Sequence, residues 1–458
     1  MKRESTFAVR QPGTDNKTSS DHVARLIESH FDTRGDELVI GGLTVSELSE
    51  QFGTPLFIYD QAALQRRIEQ VKAVLPDRFN LFYSIKANPN AAILRTFLRQ
   101  GCGLEVASGG ELFQALSAGC PPDRVIFAGP GKTRTELAAA LEADIREIHV
   151  ESIDEIRTLS ELATQDGNVA RVALRINPAE ASGGAMRMGG RASPFGIDEE
   201  ELEIALDEAT TLENVQVTGV HLFMATQILE AETLIEQYQL ALRIAREVAS
   251  RIPGPLASID FGGGWGTPYF AHERELDLQE LAAGIARVQQ QMQEDPLLAT
   301  AEAIIEPGRY LVNEAGLYLS RVTRVKRSRG RVFAITDGGM HHHLAASGNL
   351  GQTIKRNYPV AVVNKLERPV AEKTDVVGPL CTPLDMLARQ IELPPVEPGD
   401  LFGVFQSGAY ARTSSPHGFL SHASPAEVLV VDGRGSLIRR RGEPDDLLHD
   451  QVSATDTP

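Results

Sequence analysis

From Phe79 to Glu306 the chain repeats one pattern, a short apolar run rich in β-branched residues followed by a polar stretch with apolar positions at helical spacing. The runs fall at 81–85, 104–107, 125–128, 147–150, 172–176, 217–222, 258–261 and 303–306, with helical stretches such as 110–118, 133–141 and 231–249 between them. Near-continuous apolar strands alternating with amphipathic helices read as βα units on a parallel sheet. Eight such units predict a closed (β/α)8 barrel in place of an open doubly wound sheet. After Glu314 the texture changes to β-branched runs at 317–325, 332–335, 360–363, 401–405 and 428–431 without long helical stretches, which predicts an all-β domain. Two more strand-like runs, 38–40 and 56–59, precede the barrel and can return to pair with that domain.

Length supports the division, because 458 residues exceed the roughly 250–300 at which a single core stops growing. The expected organisation is a barrel over 57–313, a β-domain from 31–56 and 314–441, and flexible tails at 1–30 and 442–458, where the sequence is polar and poor in aromatics. A formal charge of −17 with no basic stripe excludes general nucleic-acid binding. The first twenty residues match neither a signal peptide nor a membrane span, so the expected compartment is the cytoplasm and no membrane partner is implied. Cys102, Cys120 and Cys381 lack C-x-x-C spacing, which suggests reduced thiols in place of a disulfide framework or a zinc knuckle. Residues 181–194, rich in Gly, Ala, Arg, Met and Ser, predict a long loop on the barrel's C-terminal face, a common position for a cover over a site.

In a barrel of this kind the chemistry gathers at the C-terminal ends of the strands. Lys86 ends the first strand, which Asn88-Pro89-Asn90 stops. A partly desolvated lysine loses its proton more easily and can form a Schiff base with an aldehyde; taken alone, it could equally be a lysine whose stem snorkels to water. Glu105 lies in the second strand, His149 near the end of the fourth, Arg175 near the end of the fifth, His221 and Phe223 around the end of the sixth, and Glu306 at the end of the eighth. The seventh strand runs into Gly262-Gly263-Gly264, where backbone N–H groups can approach an anion, and the loops after strands seven and eight are the usual phosphate site of this architecture. Arg309 could supply the matching cation. Because Thr267 follows Gly264-Trp265-Gly266, the G-x-G-x-x-G spacing fails and a dinucleotide is disfavoured. A phosphate cradle, an amine and a carboxylate in one barrel mouth suggest pyridoxal 5′-phosphate, with Glu306 keeping the pyridine nitrogen protonated so that the ring is a strong electron sink. His341-His342-His343 invites a metal reading, but neighbours on a strand point to opposite faces and cannot all ligate one ion, so a loop or structural role is expected.

Six segments in order, 82–90, Glu105-Val106-Ala107-Ser108, 259–264, Glu306-Pro307-Gly308-Arg309, 378–385 and Ser407-Gly408-Ala409-Tyr410, together resemble the fold-type III pyridoxal-phosphate decarboxylases, the ornithine and diaminopimelate decarboxylase group. The resemblance runs from about residue 38 to about residue 431. It implies an alanine-racemase-like barrel that binds the cofactor, a β-domain that completes the site, and active sites formed across a homodimer interface. It implies Lys86 as the Schiff-base lysine and Glu306 as the pyridinium partner. Gly262, Gly263, Gly264, Arg309, Thr226 and Tyr410 would hold the phosphate, with Glu105, Arg175, His221, Phe223 and Gly308 also lining the cofactor. Cys381 would reach in from the other subunit and act as a catalytic acid.

Two departures shape the substrate expectation. Phe223 stands where the family usually has a histidine in a His-Ile-Gly-Ser type segment, and His221, two residues earlier on the same side of the strand, could partly compensate. After Cys381 the family's acidic residue, which pairs with a distal amine, is here Thr382. The chain looks most like the branch acting on acylated amino acids, which includes glutamyl-carrier-protein, exosortase-associated and siderophore decarboxylases. The implied substrate is an amino acid, free or on a carrier protein, with Thr382, Asp385 and Arg412 as candidate contacts and Arg412 able to meet a carboxylate through its planar fork. Diaminopimelate decarboxylation is the alternative. Alanine racemases of the same fold place an arginine at the pyridine nitrogen, which Glu306 argues against; non-catalytic pyridoxal-phosphate carriers are lone barrels, which the β-domain and Cys381 argue against.

Overall fold

The structure is a computed structural model that describes residues 15–179, 186–187, 191–350 and 355–452. All eight expected runs form parallel strands: β1 (Phe79–Ser84), β2 (Gly103–Val106), β3 (Val125–Phe127), β4 (Glu147–Val150), β5 (Ala170–Asn177), β6 (Val215–His221), β7 (Ser258–Asp260) and β8 (Glu302–Ile305). Each pairs with the next, and β8 pairs with β1, so the barrel closes. The helices after β1 to β4 each open on a side-chain cap, Asn90, Ser108, Thr133 and Ser152 respectively, which accepts an otherwise unbonded first-turn N–H. After β8 only a single turn follows, Arg309–Val312, and the helix Gln61–Val74 packs beside it and against Leu278–Glu294.

The barrel interior is divided. Phe82, Ile126 and Ile304 fill one side as a dry cluster, made possible by Gly103, where any β-carbon would collide with the Phe82 ring. Opposite them Glu147, His149, His221 and Asp260 are buried and polar. Gly219 leaves the space that Ser258 and Glu147 occupy.

Strand β9 (Gly316–Ser328) organises the β-domain. Its first half pairs antiparallel with Leu56–Asp60 and with Leu401–Val404, and its second half with Arg331–Thr336. Leu56–Asp60 also pairs in parallel with Ala426–Val431, so the run expected at 56–59 does return to this domain. The expected boundary at residue 57 cuts that strand; the barrel-side chain begins at Gln61. The run at 38–40 lies in Glu37–Ile40, part of a small three-stranded sheet, and touches the β-domain through Leu38 N–H donating to Val363 O at 2.8 Å.

The N-terminal segment differs from a flexible tail over Asp15–His30, which is helical. Val23 and Leu26 bury themselves with Leu38, Ile40, Leu317 and Val428, an anchor too sparse in apolar residues to stand out in the sequence. At the other end Pro444–Leu448 forms one exposed turn, tied back by an Arg440–Asp446 ion pair of 2.5 Å. Residues 1–14 and 453–458 of the expected tails lie outside the described residues, as do 181–185 and 188–190 of the expected loop. Within that loop Met186–Arg187 pairs antiparallel with Ala225–Thr226 on the barrel's C-terminal face. Among the described residues no helix is long and apolar enough to cross a membrane.

Candidate active site

Lys86 sits in a single 3-10 turn, Ile85–Ala87, directly after β1. Its Nζ lies 3.1 and 3.3 Å from the two carboxylate oxygens of Glu105, which is buried on β2 and also accepts from Ser84 Oγ. The Lys86 side chain keeps 40% of its surface exposed, so the amine is reachable from the mouth. Burial pulls its pKa down, but the carboxylates of Glu105 and Glu306 more than offset this, and the ammonium is held above the ordinary lysine range. Tyr410 closes the turn from the β-domain: its N–H donates to Ala87 O at 2.9 Å, with its backbone in the left-handed region (φ 54°). The preceding Gly408 fits because a β-carbon there would collide with Val312 O.

The loops after β6, β7 and β8 are zipped together by the glycine run. Ile228 N–H donates to Gly264 O and Gly266 N–H to Ile228 O, both at 2.9 Å, and Glu306 N–H donates to Gly262 O at 3.1 Å. A β-carbon on Gly262, Gly263 or Gly264 would stand 2.5 Å from the carbonyl oxygen of Leu222, Glu306 or Ala225 respectively. The glycines therefore serve close loop packing; Gly262 N–H donates to Asp260 Oδ1 at 2.8 Å, while no β-carbon crowds the Gly263 and Gly264 N–H groups. Gly308 lies 3.0 Å, by the same measure, from Ser84 O, which brings Arg309 to the mouth. Arg309 donates to Tyr269 OH at 2.6 Å and lies 4.8 Å from the centre of the Tyr410 ring, while its buried Nε has no hydrogen-bond partner among the described residues. Thr226 ends the short strand facing Met186.

Arg175 on β5 is clamped by Glu151 at 2.5 Å and set between the Phe195 and Phe223 rings, 5.3 and 6.0 Å from their centres. Phe223 also faces Lys86, whose Nζ lies 5.8 Å from its ring centre. Glu306, one residue beyond β8, is buried; its Oε1 lies 3.3 Å from His221 Nε2 and its Oε2 has no hydrogen-bond partner among the described residues. Burial raises the Glu306 pKa against the opposing pull of Lys86, His149 and Arg175. Sequence reasoning passed over Glu147, Glu151, Asp260 and Tyr269. The first three carry a readable signal, since Glu147 alternates with His149 on β4, Glu151 follows β4 and Asp260 precedes the glycine run.

A family model described as "Pyridoxal-dependent decarboxylase, pyridoxal binding domain" matches residues 61–313, the segment from the helix Gln61–Val74 through the turn after β8. The chain belongs to the pyridoxal-dependent decarboxylases. It is 38% identical to an L-glutamyl-[BtrI acyl-carrier protein] decarboxylase of Niallia circulans over 89% of this chain and 96% of that one. A diaminopimelate decarboxylase of Aquifex aeolicus is 31% identical over 90% and 95%. Among solved structures, diaminopimelate decarboxylase of M. jannaschii in complex with L-lysine superposes with a TM-score of 0.85, at 27% identity and covering 93% of this chain and 98% of that one. The chain is accordingly a pyridoxal-phosphate-dependent decarboxylase with the alanine-racemase-like barrel and β-domain.

The mouth fits this decarboxylase cofactor by its own chemistry. A reachable amine, a buried carboxylate with a spare oxygen, a bare guanidinium nitrogen and N–H groups that no side chain can crowd are the complements of an aldehyde, a ring nitrogen and a phosphate.

The candidate substrate contacts differ in their freedom. Asp385 is buried and spent on the backbone, accepting from Met340 N–H at 2.7 Å and Leu380 N–H at 2.8 Å, with Gly339 and Gly378 pressed against its carboxylate. Arg412 turns to Glu427, Nε to Oε2 3.7 Å, and that carboxylate is shared with Tyr59, Asn90 and Arg439. Thr382 is half-buried and its Oγ1 accepts from Leu384 N–H at 3.3 Å. Cys381 is exposed on the same loop. His341, His342 and His343 lie in a buried turn, where His342 Nε2–H donates to Ala423 O, its Nδ1 meets Tyr318 OH, and His343 Nε2 meets Ser407 Oγ.

Proposed function

We propose that this decarboxylase removes the α-carboxylate of an amino acid whose side chain ends in an acyl linkage, of the kind presented by a glutamyl unit on a carrier protein. The observation that carries this reading is the Cys381 loop, which offers a distal group the Thr382 hydroxyl while its carboxylate, Asp385, is spent on two backbone amides. A distal ammonium entering such a pocket would lack an anionic partner, at a cost of several kcal/mol, whereas an amide or thioester needs only a neutral hydrogen bond. The relative of Niallia circulans, named for a glutamyl carrier protein, supports the same choice.

Bound pyridoxal phosphate supplies the sink for the electron pair left when the Cα–carboxylate bond breaks. Lys86 would supply the amine that holds the cofactor through its aldehyde. Glu306 would meet the ring nitrogen and hold its proton; Gly262, Gly263, Gly264, Thr226, Arg309 and Tyr410 would hold the phosphate; Phe223 would pack on the ring, beside Arg175 and Glu105. Cys381 of a second copy in a homodimer delivers the proton to Cα, a thiol with a reference pKa of about 8.5 being mostly protonated at neutral pH yet a ready donor. The setting proposed is the cytoplasm, where Cys102, Cys120 and Cys381 stay thiols.

The test is a carbon dioxide release assay with a γ-glutamyl thioester, on carrier protein and on a short pantetheine, against meso-diaminopimelate. Turnover of the thioester with kcat/KM at least tenfold above that of diaminopimelate is expected. Equal or better use of diaminopimelate would return the chain to lysine biosynthesis.

A further inference from the structure

Beneath the mouth, four buried side chains run in single file across the barrel. Glu147 is fixed by Ser258 Oγ at 2.6 Å and Thr218 Oγ1 at 2.9 Å, both on its Oε1, and its Oε2 lies 3.7 Å from His149 Nε2. His149 Nδ1 is 3.0 Å from His221 Nδ1, and His221 Nε2 is 3.3 Å from Glu306 Oε1. None of the four is more than 4% exposed. Two facing Nδ1 atoms this close hold one proton between them, because two N–H groups would repel and two bare lone pairs would leave both unsatisfied.

That single constraint couples the two ends of the file. With His149 neutral and its Nε2–H toward Glu147, the shared proton belongs to His221 Nδ1; His221 Nε2 is then bare, and Glu306 must carry the proton that lies between them. In the other arrangement Glu306 is ionised, His221 is protonated on Nε2, and His149 carries both ring protons between Glu147 and Asp260, the latter 4.0 Å from its Nδ1. Both arrangements hold three protons. They interconvert when the Glu306 O–H bond breaks as His221 Nε2–H forms, and His221 Nδ1–H breaks as His149 Nδ1–H forms. A positive charge appears on His149 and a negative one on Glu306, with no exchange with water.

We propose that Glu147, His149 and His221 form an internal proton relay that sets the charge of Glu306, and hence the proton available to the cofactor's ring nitrogen. His149 is a positioning residue that acts through His221. The inference holds whichever amino acid is the substrate. Surrounding charges fit the relay. Burial, then His149 and Arg175, keep His221 well below the usual imidazole range, which makes it a conduit and not a store. Glu147 stays below the usual carboxylate range despite burial, through His149, Ser258 and Thr218, so it remains the anion that can hold a charged His149. Asp260, pushed far up by burial and by Glu306, does not compete as an anion, while Arg175 is matched by Glu151 and Lys86 by Glu105.

Glu147→Gln separates the relay from a structural role, because the amide oxygen can still accept from Ser258 and Thr218 while the anion is gone. In cofactor-free protein with 15N-labelled histidine, the wild type should show one donor and one acceptor Nδ1 with a scalar coupling between His149 and His221. In Glu147→Gln the amide NH2 faces His149 Nε2, so that nitrogen should change from donor to acceptor and His149 should become the Nδ1 donor. In the loaded enzyme the variant should weaken cofactor binding and lower kcat by roughly tenfold each, the equivalent of one pK unit, with substrate KM within about twofold. Uncoupled histidines in the wild type would overturn the relay, and so would a folded variant with unchanged nitrogen spectra and cofactor affinity. Should the variant not fold, the wild-type coupling alone decides.

Discussion

The barrel mouth and the Cys381 loop are built on opposite plans. In the mouth each chemically active group is held by another: Lys86 by Glu105, Arg175 by Glu151, Glu306 by His221, Arg309 by Tyr269. The loop from Gly378 to Asp385 is clipped from behind by its buried carboxylate, yet it presents Cys381 and Leu384 to the outside. The groups proposed to hold the cofactor thus lie together within one chain, and the proposed acid points away from its own core. Burial and mutual pairing suit groups whose charge must stay fixed, and exposure suits a donor that has to meet a substrate at a surface brought in by another copy.

Lys86→Ala breaks the first half and has the largest expected effect. Losing a nucleophile that acts as part of a unit should cut kcat on the order of 10⁴–10⁶-fold, and borohydride should no longer fix the cofactor to the peptide containing residue 86. A label found on another lysine would overturn the assignment. Cys381→Ala breaks the second half, with an expected fall of roughly 10²–10⁴ in kcat if general-acid catalysis is lost. Mixing the two inactive variants sharpens the comparison. If each site takes Lys86 from one subunit and Cys381 from the other, random reassociation should restore about a quarter of wild-type activity, because half the dimers are mixed and each has one intact site. No recovery on mixing, once subunit exchange is shown by native mass spectrometry, would place both residues in one chain's site.

The two halves also differ in what the sequence discloses. Barrel strands buried on both faces are unbroken apolar runs, and residues at their ends must point into the mouth, so Lys86, Glu105, Arg175, His221 and Glu306 could be placed before any coordinates. The loop obeys no such period. Whether Asp385 meets a substrate or a backbone depends on the Met340 amide, 45 residues earlier, and the destination of Arg412 depends on Glu427 coming beside it across the sheet. The helix Asp15–His30 escaped notice for a related reason: among its described side chains only Val23 and Leu26 are buried apolar residues, and two such residues make no periodic signal.

Thr382→Glu tests how the loop reads the far end of the substrate. A carboxylate there should gain a charge-assisted hydrogen bond to a distal ammonium, worth about 1.5–3 kcal/mol. The ratio of kcat/KM for meso-diaminopimelate over a γ-glutamyl thioester should therefore rise roughly 10–100-fold. An unchanged ratio would show that residue 382 does not set specificity.

The smallest effect on catalysis is expected at the rim of the mouth. Glu151 Oε1 takes both Arg175 at 2.5 Å and Gly129 N–H at 2.7 Å, and its Oε2 takes Gly196 N–H at 3.0 Å, so it ties the loops after β3 and β5 to β4. Burial raises its pKa, but Arg175 and Lys132 outweigh burial and hold the carboxyl below its usual range. A depressed carboxylate contributes stability that is present above the unfolded pKa of about 4.3 and is lost as pH falls through the folded value. Glu151→Gln should cost about 1–3 kcal/mol at pH 7, since the single amide oxygen can accept from only one of the Gly129 and Gly196 N–H groups and Arg175 is left without its anion. The gap between variant and wild type in urea denaturation should narrow below about pH 4, where the wild-type carboxyl itself becomes protonated. Turnover should fall less than tenfold, because Phe195 and Phe223 still flank the guanidinium. A gap that stays constant from pH 7 to pH 3.5 would mean that the Glu151 charge does not stabilise the mouth and that its hydrogen-bond geometry alone matters.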